Sequence, residues 1–268
     1  MTAAECIMNP LASAPARRLP GTAVANSAYR LVLAASHEQV RAAQALRFMV
    51  FNLELNEGLT CSYETGLDAD RFDAVCDHLL VEDSSSGDVV GTYRLQTGTR
   101  AAAGLGYYSE REFDFAPFET LRADLVELGR ACIHTDHRNF TVLNLLWNGI
   151  AGYARERGAR YLIGCSSLTS QDASIGAAAY LRLQAHLAPE QHRTRPVPGF
   201  ACPLNAVAAQ APKTPKLLAA YLALGAGICG PPAIDREFRT IDFLTLADLQ
   251  SPGMRALQLR GRFSGVTR

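Results

Sequence analysis

One stretch of the sequence restricts the fold more than any other, because it joins a strongly amphipathic helix pattern to two apolar runs. Residues 140–157 carry a single apolar stripe at helical spacing, made of Val142, Leu145, Leu146, Gly149, Ile150 and Tyr153. Gly158 follows at the position where helices commonly end. The runs 125–134 and 161–165 on either side are typical of buried strands. This order predicts a mixed α/β fold.

The rest of the chain supplies further elements in alternating order. Apolar alternation predicts strands over 28–35, 78–82, 89–96 and one or two more within 226–247. Helical spacing begins at His37 and recurs over 172–186 and 215–224. The segments expected to be irregular are 53–75, 101–119 and 187–212, and Ser166-Ser167 is expected to form a turn at a strand end.

Composition excludes several classes of protein. The 268 residues are 48% hydrophobic and carry 26 basic and 26 acidic side chains, so a core can be buried and general binding of nucleic acid is not expected. No run approaches the roughly 18 apolar residues of a membrane span. The seven cysteines are widely spaced, which argues against a disulfide framework or a zinc site and favours the reducing cytoplasm. We therefore expect a soluble cytoplasmic protein without a metal.

The chain divides into three parts by composition. Residues 1–27 contain Pro10, Pro15 and Pro20 and lack the apolar stretch of a signal peptide, so we expect a disordered leader. A weak role for this leader at a membrane surface stays open. Residues 28–250 hold the patterned elements and are expected to form one domain with a C-terminal extension. Residues 251–268 form a tail.

Several sequence segments together resemble one known family. They are D-x-x-D before His78, V-G-T-Y-R-L (90–95), Y-Y-S-E-R-E-F (107–113), V-E-L-G-R-A-C-I-H (126–134), H-R-N (137–139), L-L-W-N-G-I (145–150), the run from Lys216 to Phe238, and I-D-F-L (241–244). The combination, over about residues 28–250, resembles the ornithine–acyl-carrier-protein N-acyltransferases. These are related to N-acyl amino acid synthases and, more distantly, to acyl-homoserine-lactone synthases.

The resemblance implies a GNAT-like fold, with a mostly antiparallel central sheet flanked by helices. It implies transfer of a 3-hydroxyacyl group from acyl carrier protein to the α-amine of ornithine, giving lyso-ornithine lipid, with no bound cofactor and no metal. The loop 137–141 departs from acetyltransferases because it has no glycine for a pyrophosphate. That departure suits the single phosphate of a carrier-bound phosphopantetheine. The tail around 254–263 also departs from the family pattern.

Glu127 and Arg130 are the candidate catalytic residues. Glu127 interrupts an apolar strand, where an unpaired carboxylate is expensive, and a general base is needed to leave the attacking amine neutral. The alternative is a structural pair between Glu127 and Arg130. A regular strand places residues three apart on opposite faces, so that pair needs a β-bulge, for which Gly129 is a suitable position.

Four charged residues are candidates for binding the acceptor. Arg47 lies on the apolar face of the first helix, where a bare cation is expensive, and either pairs with Asp70 or Asp73 or binds the acceptor carboxylate. Asp70 and Asp73 suit the δ-ammonium of ornithine, and the alternative is loop capping. Arg94 suits either a carboxylate or a structural pair.

Donor binding is assigned to the segment after the central strand. Arg138 and Asn139 precede a helix N-terminus, which favours a phosphate. The backbone near Ala131 and Cys132 is expected to stabilise the oxyanion, and the Cys132 thiol to pack in the core rather than act as a nucleophile. Basic residues, among them Arg182, Arg193, Arg195, Lys213 and Lys216, form either a docking face for acidic acyl carrier protein or an ordinary surface.

Three alternatives to ornithine acylation stay open. In the first, the enzyme acylates another amino acid such as glycine or tyrosine. In the second, the chain is a non-catalytic module that binds acyl carrier protein or lipid. Direct membrane lysis is the third, although no strong amphipathic segment supports it. Peripheral contact with the inner membrane is compatible with a lipid-like product.

Overall fold

The computed structural model describes residues 28–255. Over this range the strands are β1 (Tyr29–Leu33), β2 (Asp77–Asp83), β3 (Val89–Thr97), β4 (Leu125–Ile133), β5 (Tyr161–Leu168), β6 (Gly227–Ile228), β7 (Ala233–Asp235) and β8 (Thr240–Asp248). The α-helices are α1 (His37–Phe48), α2 (Ser62–Thr65), α3 (Gly98–Ala102), α4 (Phe140–Glu156), α5 (Ala173–Leu183) and α6 (Lys216–Ala223). These eight strands form a mixed, mostly antiparallel sheet, so the expected fold class is confirmed.

The described chain falls into two compact units. The first contains residues 28–96 and 128–158, and the second contains residues 97–127 and 159–255. The predictions made for 1–27 and for the tail beyond residue 255 lie outside the described residues. Each unit has its own buried side chains and is considered separately below.

The first unit is built from an antiparallel ribbon and the predicted amphipathic helix. β1, β2 and β3 pair in sequence order, with Leu31 opposite Val81 and Leu79 opposite Tyr93. All six residues of the predicted α4 stripe are buried, as its periodicity requires. A side chain at Gly149 would lie 2.8–3.1 Å from Leu31 and Leu79, so glycine lets α4 approach β1 and β2 closely.

The second unit is organised around β5 and β8. β5 pairs in parallel with the first three residues of β4 and antiparallel with β8 over its full length. Ser166 and Ser167 lie inside β5 and pair with Phe243 and Asp242, so the predicted turn there is wrong. Short polar residues do not end this strand because β8 supplies continuous backbone partners. β6 and β7 both pair with β8, so the C-terminal segment holds three strands rather than one or two.

The segment expected to be irregular in the second unit contains short 3₁₀ helices at Ser109–Arg111 and Ala116–Asp124. They bury an aromatic group made of Tyr107, Phe113, Phe115 and Phe118. Among the described cysteines, Cys61 is disulfide-bonded, which departs from the expectation of reduced thiols at this position. The free thiols are Cys76, Cys132, Cys165, Cys202 and Cys229.

A single glycine tests how tightly this segment is packed. A methyl group at Gly98 would lie 2.1 Å from the backbone oxygen of Arg122 and 2.2 Å from the Tyr107 hydroxyl. Because a backbone atom cannot rotate away, we expect Gly98→Ala to lower the free energy of unfolding by about 1–3 kcal/mol in urea denaturation. Gly104→Ala is the matched control, since its nearest atom would be 3.5 Å away. Equal stability of the two variants would contradict the packing described here.

Candidate functional site

Three arginines and three aspartates of the first unit form a buried ion-pair cluster. Its members are Arg47, Asp68, Asp70, Asp73, Arg94 and Arg130. Their side chains are between 0% and 7% exposed. The sequence singled out all of these residues except Asp68 as site candidates.

Arg47 and Arg94 each form ion pairs with two aspartates. Nε of Arg47 lies 2.8 Å from Oδ1 of Asp68, and its Nη2 lies 2.8 Å from Oδ2 of Asp73. Nη1 of Arg94 lies 2.6 Å from Oδ1 of Asp70 and 2.9 Å from Oδ1 of Asp73. The structural alternative for Arg47, an ion pair with Asp73, is therefore present in the fold.

The turn before β2 fixes the positions of the Asp70 and Asp73 carboxylates. Asp70 caps the 3₁₀ helix Arg71–Ala74 by accepting the N–H of Phe72, and Asp73 accepts the N–H of Asp70 in return. This reciprocal arrangement satisfies N–H groups that a helix start leaves unpaired. The capping role proposed for both aspartates therefore coexists with their ion pairs.

The charges within the cluster stabilise one another. Burial alone would raise the pKa of Asp73, but the charges of Arg47 and Arg94 outweigh burial and hold that pKa well below its usual value. Burial would lower the pKa of Arg94, and Asp70 and Asp73 reverse the effect and raise it well above its usual value. Three guanidinium groups thus face three carboxylates.

Arg130 joins the cluster from β4 with an unusual backbone. Its Nε lies 3.1 Å from Oδ1 of Asp68 and its Nη2 lies 2.9 Å from Oδ2 of Asp70. Its φ is +50°, in the left-handed region that residues other than glycine adopt at a cost of about 1–2 kcal/mol. The irregularity expected near Gly129 therefore falls on the residue after it.

Glu127 lies in the second unit, where neighbouring backbone groups hold its carboxylate. The N–H groups of Tyr108 and Ser109 each donate to one of its oxygens at 2.8 Å. The residue is 5% exposed. These bonds fix the direction of the carboxylate, while the described guanidinium contacts of Arg130 go to Asp68 and Asp70.

The donor candidates occupy the start of α4 in the first unit. The Asn139 side chain caps the helix by accepting the N–H of Val142 at 3.0 Å. Arg138 forms a two-pronged pair with Glu54 and donates from Nε to the Ile133 carbonyl oxygen at 3.0 Å. The described geometry thus gives each of these residues a structural partner of its own.

The Cys132 thiol is buried and stays protonated. Burial is the main reason that its pKa is raised to about 12. A protonated thiol is a poor nucleophile. This agrees with the expectation that Cys132 packs in the core.

Reasoning from the sequence missed a group of three carboxylates in the second unit. Glu112, Asp235 and Asp242 are 2–4% exposed, and each offers a carboxylate oxygen within 4.8 Å of the others. Burial and the neighbouring Asp242 raise the pKa of Glu112 well above its usual value. Burial likewise raises the pKa of Asp242 to about 6. Each of the three lies in one of the segments that carry the family resemblance, namely 107–113, 216–238 and 241–244. No helical or strand spacing connects them.

The ion-pair cluster should respond strongly to loss of one arginine. Arg94→Gln leaves Asp70 and Asp73 buried beside fewer positive charges, so we expect the free energy of unfolding to fall by about 3–5 kcal/mol in urea denaturation. Arg30→Gln is the matched control, because Arg30 pairs with Glu82 but is 64% exposed, and should cost about 0–1 kcal/mol. Similar losses in the two variants would show that the buried pairs contribute little.

Known proteins show the same fold. Residues 46–148 match the family model described as an acetyltransferase (GNAT) domain. TofI, solved in a ternary complex with an inhibitor and MTA, superposes with a TM-score of 0.51 at 17% identity, covering 85% of this chain and 95% of TofI. FeeM, an N-acyl amino acid synthase from uncultured soil microbes, superposes with a TM-score of 0.52 at 12% identity, covering 88% and 96%. None of the helices within residues 28–255 combines the length and the apolar character that crossing a membrane requires.

Curated relatives are similar over most of their length. The L-ornithine N(alpha)-acyltransferase of Rhodobacter capsulatus is 34% identical over 242 residues, which cover 85% of this chain and 93% of the relative. The protein of the same name from Brucella abortus is 31% identical over 245 residues, covering 85% and 87%. This chain is therefore an acyltransferase of GNAT fold that belongs to the L-ornithine N(alpha)-acyltransferase family.

Proposed function

We propose that the protein transfers a fatty acyl group from the thioester of acyl carrier protein to the α-amine of ornithine. Transfer to ornithine is supported by the names of the relatives. The observation that carries the mechanism is the buried Glu127 carboxylate, held by two backbone N–H groups. The two N–H groups keep this carboxylate ionised and fix its direction, so that it can accept a proton from an amine placed beside it.

The reaction is aminolysis of a thioester. Glu127 takes a proton from the α-ammonium, directly or through a water molecule, and the neutral nitrogen attacks the thioester carbon. A C–N bond forms and the C–S bond breaks. As the tetrahedral intermediate collapses, the nitrogen gives up a second proton, and the pantetheine sulfur takes up this proton and leaves as a thiol. No covalent enzyme intermediate is needed, in keeping with the protonated state of Cys132.

Arg130 acts in this scheme as a positioning residue. Its pairs with Asp68 and Asp70 hold β4 in the left-handed conformation at that residue. That conformation directs the following N–H groups, at Ala131 and Cys132, which we propose stabilise the oxyanion. A single oxyanion donor typically contributes on the order of 10²–10³-fold to the rate.

We propose that the ion-pair cluster also helps to place the acceptor. From the sequence, we expect Arg47, Asp70, Asp73 and Arg94 to bind the acceptor. Their side chains are at most 6% exposed and already pair with one another, which supports a role in fixing the turn before β2 and the adjoining strands. Direct contact with the acceptor by these four side chains stays a prediction.

The N-terminus of α4 is the proposed site for the donor phosphate. The helix dipole favours an anion there, and the Arg138 guanidinium, 40% exposed, could bind the phosphate in exchange for its partner Glu54. Asn139 holds the first turn of the helix in place. The absence of glycine from 137–141 supports recognition of one phosphate rather than a pyrophosphate.

Acyl carrier protein is the proposed partner, although the basic residues do not share one environment. Arg182 and Lys213 line the same surface recess between α5 and α6. Arg195 instead lines a depression together with Glu110, Asp114 and Glu119, whose charges oppose docking of an acidic protein. We propose the recess at Arg182 and Lys213 as the docking face.

The enzyme is proposed to work in the cytoplasm and to touch the inner membrane peripherally. Phe140 is 71% exposed at the start of α4, and Leu53 and Met49 are 61% and 43% exposed in the π-helical turn after α1. Apolar side chains of this size gain free energy on entering a lipid surface. The lipid-like product would leave the enzyme into such a surface.

Glu127→Gln tests the proposed base. Glutamine keeps the shape, and its carbonyl oxygen can still accept one of the two N–H groups of Tyr108 and Ser109, but its amide nitrogen accepts neither the other N–H nor the proton of the substrate. We expect kcat to fall on the order of 10²–10⁴-fold, measured by mass spectrometry of the N-acyl product with acyl carrier protein and ornithine. Glu119→Gln is the control, because Glu119 is exposed and pairs only locally with Arg122.

Full turnover of Glu127→Gln would exclude Glu127 as the base. A panel of free amino acids in the same assay tests the acceptor. A product with glycine or tyrosine instead of ornithine would correct the substrate, and binding of carrier protein without any product would favour a non-catalytic module.

Charge reversal tests the proposed docking face. We expect the double variant Arg182→Glu, Lys213→Glu to raise KM for acyl carrier protein about 10-fold and to leave KM for ornithine unchanged, since electrostatic attraction acts on the acidic partner. The control is Arg155→Glu, an exposed arginine of α4 in the first unit. An unchanged KM for the carrier protein would place docking elsewhere.

A further inference from the structure

The buried acidic group of the second unit lacks a balancing positive charge. The three carboxylates of Glu112, Asp235 and Asp242 lie close together, in contrast to the ion-pair cluster of the first unit, where three arginines face three aspartates. Within residues 28–255, Arg111 is a cation that acts on both Glu112 and Asp235, but its guanidinium is bonded to Glu237 at 3.1 Å. Three buried carboxylates without cations are unfavourable unless protons or a ligand neutralise them.

A second observation points to a ligand rather than to a purely structural group. Oδ1 of Asp242 has no hydrogen-bond partner among residues 28–255, although Asp242 is 3% exposed. Its Oδ2 accepts the Thr240 hydroxyl at 3.0 Å, and the side chain also forms hydrogen bonds with Ser167 and Glu112. A buried acceptor of this kind normally has a partner, and leaving it unmade costs about 1–3 kcal/mol.

The acidic group is joined by short contacts to the proposed base. Ser109 donates its N–H to Glu127, and its hydroxyl lies 3.5 Å from the thiol of Cys165. That thiol lies 3.9 Å from Oε2 of Glu112. Two side chains therefore separate the carboxylate that deprotonates the α-amine from the acidic group.

We propose that Glu112, Asp235 and Asp242 bind the side-chain ammonium of the acceptor and thereby select a diamino acid over neutral amino acids. This inference rests on the proposed function. An ammonium group has three N–H donors, and three residues here each offer a carboxylate oxygen. Without the acceptor, a proton on Glu112 offsets part of the negative charge, in keeping with the raised pKa of this residue.

Charge balance also explains why the ion-pair cluster is a poorer place for this ammonium. Asp70 and Asp73 each contact guanidinium groups, and an added cation would leave the cluster with excess positive charge. A metal ion is the competing occupant of the acidic group. Mg²⁺ and Ca²⁺ require about six or more oxygen ligands and usually retain water, whereas a thiol, that of Cys165, lies against this group.

The test compares ornithine with norvaline, which has the same carbon chain without the δ-amine. Asp242→Asn and Glu112→Gln keep side-chain shape and remove charge, and Asp248→Asn on the same strand is the control, because Asp248 is 31% exposed and pairs with Arg160. We expect either site variant to lower kcat/KM for ornithine about 10- to 100-fold, mainly through KM, and to leave norvaline within about 3-fold. Asp248→Asn should keep the wild-type ratio of the two substrates.

A readout without the acyl donor separates this inference from the proposed function. Ornithine should raise the Tm of the wild-type protein more than norvaline does, and this difference should vanish in Asp242→Asn. Both site variants should melt at or above the wild-type Tm in the absence of acceptor, because they remove a buried carboxylate that lacks a counter-charge. A variant that melts well below the wild type would show a structural role and overturn the inference.

Three further outcomes are decisive. An unchanged ornithine-to-norvaline ratio in both site variants would overturn the inference while leaving the proposed function intact. Loss of ornithine acylation after dialysis against a chelator, restored by Mg²⁺ or Ca²⁺, would assign the acidic group to a metal and overturn it. A wild type that acylates no amino acid and shows no Tm difference between ornithine and norvaline would overturn both proposals.

Discussion

Charge balance inside the first unit is the constraint on which the other features depend. The ion-pair cluster joins α1, the turn before β2, β3 and β4, and each guanidinium is buried beside carboxylates. Removing any one charge leaves an uncompensated partner in a site of low polarity, which is far more costly than losing a surface pair. The cluster therefore sets the path of these elements together, including the conformation of β4 at Arg130, three residues after Glu127.

The two units contain charged groups of opposite character, and this difference separates scaffold from candidate site. In the ion-pair cluster of the first unit, three arginines and three aspartates pair with one another. In the second, Glu112, Asp235 and Asp242 are gathered without equivalent cations, and hydrogen bonds from Tyr108 and Ser109 orient Glu127. Buried charges that pair with one another stabilise the arrangement of a fold. A buried group with an excess of one charge can instead bind a ligand of the opposite charge. The positively charged amine of an amino-acid acceptor fits a group with excess negative charge.

The sequence predicted elements with strong periodicity and missed contacts that depend on the tertiary fold. The α4 stripe was confirmed because its six apolar residues need only helical geometry. Ser166 and Ser167 were wrongly placed in a turn, because pairing with β8 overrides weak local preference. Glu127 and Arg47 stood out as charges in apolar patterns, whereas Asp70 and Asp73 were noticed in the D-x-x-D motif of a polar stretch. The acidic group could not be predicted, since its three members come from segments that meet only after β8 pairs with β5 and β7.

The backbone of Arg130 has a consequence for how this family can vary. A left-handed φ is available to glycine without strain, so a position that needed only the bend would be expected to drift to glycine. A position that needed only the guanidinium could keep a regular strand. In this chain one residue, Arg130, supplies both the left-handed bend and the guanidinium. Homologues with glycine there would then mark lineages in which the partners Asp68 and Asp70 have also been replaced.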